Sequence, residues 1–151
     1  MMKKLILVRH GVYDEHTGDL TEAGRSQIAA LSKRLSPHLT GTVKMVTSTA
    51  QRAVESAAIL DSVFRIGYAV DAVLLCDIPK QPEYDRAVRF IRSLQDEADT
   101  LTLVTHMYFA LYLGVHYGEA ELKKRLETGV NVEKGEAVVI DCVRKTILVV
   151  N

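Results

Sequence analysis

The chain has little that would point to a disulfide or a metal cluster. Its 151 residues include two cysteines, Cys76 and Cys142, which stand far apart in apolar stretches and lack a CxxC spacing. Isolated thiols in such surroundings are typical of reduced, buried side chains rather than of a disulfide or a metal site. We therefore expect the protein to lie in the cytoplasm.

An excess of charge of one sign is also missing, because 19 basic residues balance 19 acidic ones. A neutral chain lacks the general field that attracts nucleic acids or membrane surfaces. The amino-terminal apolar run, Leu5 to Val8, is ended by Arg9 after four residues, which is too short for a signal peptide or a membrane span. We expect neither a nucleic-acid nor a membrane partner, so a local pocket must hold any anionic ligand.

Internal repeats, low-complexity tracts and linkers are absent as well. A chain of this length, with 48% hydrophobic and 25% charged residues, has the composition of a globular protein with one core. We expect residues 1–151 to form a single domain.

The chain does contain an alternation of short apolar strands and amphipathic helices. Strands are predicted at residues 5–8, 43–47, 69–76 and 100–105, and a closing hairpin at 137–142 and 146–150. Helices are predicted at about 21–36, from about 51 onwards, at 82–97 and at 107–117, followed by an amphipathic segment at 122–126 with Lys123, Lys124 and Arg125 on a solvated helix face. This alternation predicts a layered α/β domain with a largely parallel sheet.

Cationic side chains follow three of these strands. Arg9 and His10 end the first strand, Arg52 follows the second, and His106 stands where the fourth ends. Ligands bind at the carboxyl ends of strands in open α/β sheets, so these four side chains are expected to meet at one edge. Guanidinium groups match phosphate oxygens and would repel a catalytic metal ion. The set predicts a phosphoryl site without a metal.

A neutral imidazole in such a site can attack phosphorus and carry the phosphoryl group. His10 is the better nucleophile, because it is held at the end of a rigid strand and its second ring nitrogen could donate to a backbone carbonyl. His106 would then donate a hydrogen bond to the transferred group. Gly11 would let the backbone turn sharply or approach the anion, and amides at the start of the helix after Ser48 could add anion-binding dipoles.

Four blocks of sequence carry a family resemblance. They are Leu-Val-Arg-His-Gly at 7–11, Leu-Thr-Glu-Ala-Gly at 20–24 with Gln27, Thr-Ser-Thr-Ala-Gln-Arg-Ala-Val-Glu-Ser-Ala at 47–57, and Val-Thr-His at 104–106. Together and in this order they resemble the histidine phosphatase superfamily, which includes the cofactor-dependent phosphoglycerate mutases; a small member of the phosphohistidine-phosphatase type fits best.

The resemblance implies a three-layer α/β/α sandwich with a mostly parallel central sheet. It also implies a phosphohistidine intermediate on His10 and a phosphate pocket made by Arg9, Arg52 and His106, with neither a metal nor a cofactor. The chain is short for the lid insertions of the mutases, which favours hydrolysis.

The general acid is open among three carboxylates, Asp77, Glu83 and Asp85. Breaking a phosphate ester needs a proton for the leaving alkoxide. Leu75-Cys76-Asp77 resembles the place where the family carries this acid, which favours Asp77. A phosphohistidine substrate has a better leaving group and depends less on such an acid.

Two regions depart from the family pattern. Tyr13 and Asp14 stand where members often have a small or hydroxyl residue and an asparagine, and Met107-Tyr108 follow the second histidine in place of a small residue. Tyr13 could narrow the pocket, Asp14 would oppose a dianion unless it points away, and Tyr108 could line the pocket mouth and bind substrate.

Two hypotheses follow from the sequence. The first is a metal-independent phosphatase that acts through phospho-His10 on a small phosphorylated substrate or a phosphohistidine protein. The second is a catalytically weak or inactive module of the same fold that binds phosphate or a phosphoprotein.

Overall fold

The central element of the structure is a six-stranded sheet. The computed structural model describes all 151 residues. Its strands are β1 (Lys4–Arg9), β2 (Val43–Thr47), β3 (Ala69–Val70), β4 (Thr100–Thr105), β5 (Ala137–Asp141) and β6 (Thr146–Val150). They lie in the order β3-β2-β4-β1-β5-β6, in which the first four run parallel and the last two pair antiparallel. The buried strands β1 and β4 therefore form the middle of the sheet.

Two helices cover each face of this sheet. They are α1 (Glu22–Leu35) and α2 (Gln51–Phe64) on one side, and α3 (Gln81–Leu94) and α4 (Met107–Tyr117) on the other. Successive side chains of a strand point to opposite faces. In β1, Ile6 and Val8 accordingly pack with α1 and α2, whereas Leu5 and Leu7 pack with α3 and α4. The predicted three-layer α/β/α fold with a mostly parallel sheet is confirmed.

The loop after β1 packs closely on the start of α1. Thr21 caps this helix, as predicted, by accepting a hydrogen bond from the Gly24 amide at 3.0 Å. A Cβ on Gly24 would lie 2.0 Å from the Val12 carbonyl oxygen, so only glycine allows this approach. The contact fixes the loop that leaves the sheet edge.

The predicted third strand, residues 69–76, is wrong in its extent. The strand stops after Val70, and a 3₁₀ turn covers Ala72–Leu74. The Asp71 side chain accepts a hydrogen bond from the Val73 amide at 2.9 Å, which starts the turn, and Leu74 then packs into the core. The chain bends across the ends of the strands and brings residue 77 to the sheet edge.

The prediction that the amphipathic segment 122–126 forms a helix is also wrong. A single π-helical turn, Gly118–Leu122, extends α4, and Lys123 in the left-handed conformation (φ 55°) ends it. Lys123, Lys124 and Arg125 are exposed, as predicted, but lie outside any helix. The other predicted elements are confirmed, with bounds shifted by three residues or fewer; β2, β4, β6 and α4 have the predicted bounds.

Both cysteines are free: Cys142 is buried and Cys76 is half-buried. None of the helices combines the length and the apolar character needed to cross a membrane.

Candidate active site

The carboxyl ends of β1, β4 and β2 lie side by side because these strands are neighbours in the sheet. A cavity of about 240 Å³ opens at this edge. It is lined by Arg9, His10, Tyr13, Arg52, Asp77, His106, Met107 and Lys134. The structure therefore brings together the two arginines and two histidines that the sequence places at strand ends.

His10 is held as a neutral imidazole with one fixed tautomer. Its side chain is buried, and Nδ1 lies 2.9 Å from the Gly11 carbonyl oxygen. A carbonyl can only accept, so Nδ1 carries the proton and Nε2 keeps its lone pair. Burial lowers the pKa of His10 to about 3, and the neighbouring cations of Arg52 and Arg9 act in the same direction.

The Arg52 side chain lies directly in front of His10 Nε2. The Arg52 Nε–H group donates to His10 Nε2 at 3.3 Å, and Arg52 Nη2 lies 3.7 Å from a carboxylate oxygen of Asp77. The guanidinium carbon also lies 4.6 Å from the centre of the Tyr13 ring, a cation–π contact. The reactive lone pair of His10 therefore faces a guanidinium at the cavity.

His106 is the second buried imidazole, and both of its ring nitrogens have partners in the protein, Arg52 and Ser48. An arginine can only donate, so His106 Nδ1 accepts from Arg52 Nη2 at 3.3 Å. Burial lowers the pKa of His106 to about 4, and the ring is neutral with its proton on Nε2, which donates to Ser48 Oγ at 2.8 Å. In this arrangement His106 positions Arg52.

Arg9 supplies the second guanidinium of the cavity. Its Nη1 donates to the Val132 carbonyl oxygen at 2.7 Å, while its buried Nε–H has no acceptor in the protein. Burial lowers the pKa of Arg9 below its ordinary value, and the guanidinium stays charged at neutral pH. A buried donor without an acceptor is unusual in native proteins. Arg9 therefore retains hydrogen-bonding capacity that the fold itself does not use.

Ser56, on α2, connects Arg52 to the end of β1. Its hydroxyl donates to the Arg52 carbonyl oxygen at 2.7 Å and accepts from the Gly11 amide at 3.2 Å. The position of α2, and of Arg52 in its first turn, is thus set directly against the residue that follows His10.

Among the three carboxylates considered for the general acid, Asp77 is the one at the cavity. Its side chain is 83% exposed and pairs with Arg52. Asp85 instead accepts from Gln81 on the exposed side of α3 at 2.8 Å and lines a separate cleft. Glu83, in the first turn of α3, is not among the residues that line the cavity.

Two predicted substrate-binding residues, Gly11 and Tyr108, lie outside the cavity. A Cβ on Gly11 would lie 2.7 Å from the Gly24 carbonyl oxygen, so Gly11 packs closely against the start of α1. The Tyr108 ring turns away along α4, where it stacks on Tyr112 with ring centres 6.2 Å apart, and Met107 lines the cavity in its place.

Comparisons with known proteins agree with this geometry. The family model of the histidine phosphatase superfamily (branch 1) matches residues 5–74, a range that includes Arg9, His10 and Arg52. No curated protein matches the chain significantly. Among solved structures, a mycobacterial glucosyl-3-phosphoglycerate phosphatase in complex with VO3 has a TM-score of 0.67 at 18% identity, with 91% of this chain and 92% of that chain covered.

Two further solved structures have the same architecture. YhfR of Bacillus stearothermophilus has a TM-score of 0.68 at 21% identity, with 95% of this chain and 93% of that chain covered. SixA of Agrobacterium tumefaciens, a candidate phosphohistidine phosphatase, has a TM-score of 0.62 at 16% identity, with 92% and 90% covered. The chain has the histidine phosphatase fold. The resemblance of its sequence to the histidine phosphatase superfamily is confirmed.

Tyr13 and Asp14, which depart from the family pattern, differ in their position relative to the cavity. Tyr13 lines the cavity, with its ring centre 5.3 Å from that of His10. Asp14 is exposed and points away, where its carboxylate accepts from the His16 amide at 2.7 Å. The expected repulsion of a dianion by Asp14 therefore does not apply.

Sequence reasoning did not identify Lys134 as a cavity residue or Ser48 as the hydrogen-bond partner of His106. Lys134 belongs to the loop before β5 and has no motif around it. The signal that could have found it is the closing hairpin: because β5 runs antiparallel beside β1, the start of β5 lies at the same edge as the end of β1.

Proposed function

We propose that the protein is a metal-independent phosphatase that hydrolyses a phosphomonoester or a phosphohistidine through a covalent phosphohistidine on His10. The observation that carries the proposal is a neutral His10 whose Nδ1–H is bound to the Gly11 carbonyl, so that Nε2 faces a cavity with Arg9 and Arg52.

In the first step His10 Nε2 attacks phosphorus, the N–P bond forms, and the bond from phosphorus to the leaving group breaks. The cavity contributes mostly by positioning the group and by stabilising charge on its oxygens. Arg52 Nε, which donates to His10 Nε2, transfers that hydrogen bond to a phosphoryl oxygen. Because the pKa of His10 is about 3, no proton has to be removed from Nε2 before attack.

The leaving group needs a proton, and we assign Asp77 as its source. The carboxyl group lies at the cavity and beside Arg52. In the second step water attacks the phosphohistidine, the same carboxylate takes the water proton, and inorganic phosphate leaves with His10 regenerated. A phosphohistidine substrate depends less on Asp77, because a neutral imidazole leaves more easily than an alkoxide.

The similar structures support a phosphatase of this kind. They include a glucosyl-3-phosphoglycerate phosphatase, which is named for an ester substrate, and a candidate phosphohistidine phosphatase. The partner of this chain is accordingly a small phosphorylated substrate or a phosphohistidine protein.

The test is hydrolysis of an aryl phosphate and of a phosphohistidine protein in the presence of a metal chelator. We expect turnover that chelation leaves unchanged and that His10→Ala abolishes. The exposed His16 lies outside the cavity, so His16→Ala serves as the matched control and should retain activity. Turnover of neither compound, or equal turnover by the wild type and His10→Ala, would contradict the proposal.

A second candidate function is a module that binds phosphate without turnover. The observation that favours it is that the larger side chains of Tyr13 and Met107 line the cavity while Asp77 is 83% exposed. Phosphate binding by calorimetry, without acid-labile and base-stable labelling of His10, would support the binding module. Labelling of His10 would reject it.

A further inference from the structure

The cavity contains a third cation, Lys134, that the proposed reaction does not use. Its Nζ lies 5.2 Å from the centre of the Tyr13 ring, the ring that Arg52 also contacts. Lys134 has no carboxylate oxygen within 4 Å, whereas Arg52 is paired with Asp77. Lys134 is half-buried as a residue, and an ammonium without a partner ion leaves its charge available to a ligand.

The backbone on both sides of Lys134 is fixed to the end of β1. Before it, the Val132 carbonyl oxygen accepts from Arg9 Nη1 at 2.7 Å. After it, the Gly135 amide donates to the carbonyl oxygens of Arg9 and His10, at 3.2 and 3.0 Å. Gly135 has a positive φ of 78°, which favours glycine. The loop therefore holds Lys134 beside the proposed nucleophile.

The charges around the cavity exceed what a phosphoryl group needs. Arg9 and Arg52 match the two negative charges of a phosphomonoester dianion. When Asp77 carries the proton that it donates to the leaving group, the residues that line the cavity include three cations and no anion, while the carboxylates of Glu133 and Glu136 act on Arg9 from outside this lining. The remaining positive charge belongs to Lys134 and favours one more negative charge on the substrate.

The volume of the cavity limits where on the substrate the additional negative charge can lie. A volume of about 240 Å³ is below the roughly 300–1,000 Å³ of sites for drug-sized ligands, so it suits a phosphoryl group with a small leaving group. Arg52 is bound to His10 and His106, whereas Lys134 has neither contact. Lys134 is therefore placed to contact the leaving group.

We propose that Lys134 is a specificity-determining residue that binds a carboxylate on the leaving group of a small phosphomonoester. This inference rests on the proposed phosphatase function and narrows its substrate class. The ammonium donates to the carboxylate while the two arginines hold the phosphoryl group.

Two esters that differ in charge but hardly in shape test the inference. They are 3-carboxyphenyl phosphate and 3-carbamoylphenyl phosphate. We expect the wild type to prefer the carboxylate ester about tenfold in kcat/KM, mostly through KM, which corresponds to about 1.4 kcal/mol. Lys134→Gln should bring this ratio to about one. Lys124→Gln removes the same charge from an exposed residue outside the cavity and should keep the preference.

The other outcomes separate this inference from the function on which it rests. Hydrolysis of both esters at equal kcat/KM by the wild type overturns the role of Lys134 and leaves the phosphatase proposal intact. An equal loss for both esters in Lys134→Gln also overturns it, because Lys134 would then serve the phosphoryl group. If the wild type hydrolyses neither ester and does not hydrolyse the phosphohistidine protein, the phosphatase proposal fails. Calorimetric affinities of the wild type and Lys134→Gln for the two esters then decide the carboxylate preference.

Discussion

At the scale of single residues, the burial of His10 ties the proposed chemistry to the stability of the fold. Its pKa is about 3 in the folded protein and about 6.5 in an unfolded chain, because burial disfavours the imidazolium. Below pH 6.5 the unfolded chain takes up a proton that folded His10 does not. The free energy of unfolding therefore falls as the pH drops from 6.5 towards 3.

The expected loss at pH 5, relative to pH 7.5, is up to about 2 kcal/mol from His10, with a contribution of the same sign from His106. Urea unfolding at these two pH values measures it. His10→Gln has no imidazole at this position and should lose less stability between them. Equal losses in the wild type and His10→Gln would show that His10 is not held neutral by the fold.

The residues of the site divide into those that the sequence could indicate and those that it could not. Arg9, His10 and His106 stand at the ends of apolar strands, so the fold class alone predicts that they converge. Tyr108 is the residue after Met107 in α4, and one step along a helix turns its side chain to another face of that helix. Lys134 lies in a loop, and only the pairing of β5 with β1 brings it to the cavity.

At the scale of secondary structure elements, the hydrogen bond between Ser56 of α2 and Gly11, just after β1, fixes the position of the site residues on these two elements. Ser56→Ala removes both hydrogen bonds of this hydroxyl and leaves the buried Gly11 amide without an acceptor. Such a group costs about 1–3 kcal/mol, so the free energy of unfolding should fall by that amount in urea.

The same helix provides the control for this prediction. Ser62, on the exposed side of α2, donates only to the Ile59 carbonyl oxygen, at 2.6 Å. Ser62→Ala should change the free energy of unfolding by no more than about 0.5 kcal/mol. Similar losses in both variants would mean that the bond to Gly11 does not stabilise the fold.

Element boundaries were predictable where one interaction dominates. β4 is buried along its whole length, and its apolar and threonine run predicted its bounds. The end of the third strand was not predictable, because the pattern of residues 69–76 does not show that the Asp71 carboxylate accepts from the Val73 amide and starts a turn. A local side-chain bond overrode the strand propensity there.

At the scale of the whole molecule, a chain with no net charge concentrates three cations and one carboxylate around one cavity. An anion that binds this cavity stabilises the folded state, by about 2.7 kcal/mol at a concentration 100 times its Kd. For a protein of this size each kcal/mol raises Tm by roughly 2–4 °C. Saturating inorganic phosphate should therefore raise Tm by roughly 5–11 °C.

The origin of this stabilisation can be separated from general salt effects. Arg52 contacts both histidines, so Arg52→Gln should lose most of the shift in Tm produced by phosphate. Arg89 is an exposed arginine on α3, outside the cavity, and Arg89→Gln should retain the shift. Sodium chloride at the same ionic strength is the matched salt, since screening acts on exposed charges regardless of the anion. A shift of the same size in Arg52→Gln, or with chloride, would place the anion elsewhere on the molecule and would remove the support that the cavity gives to phosphoryl chemistry.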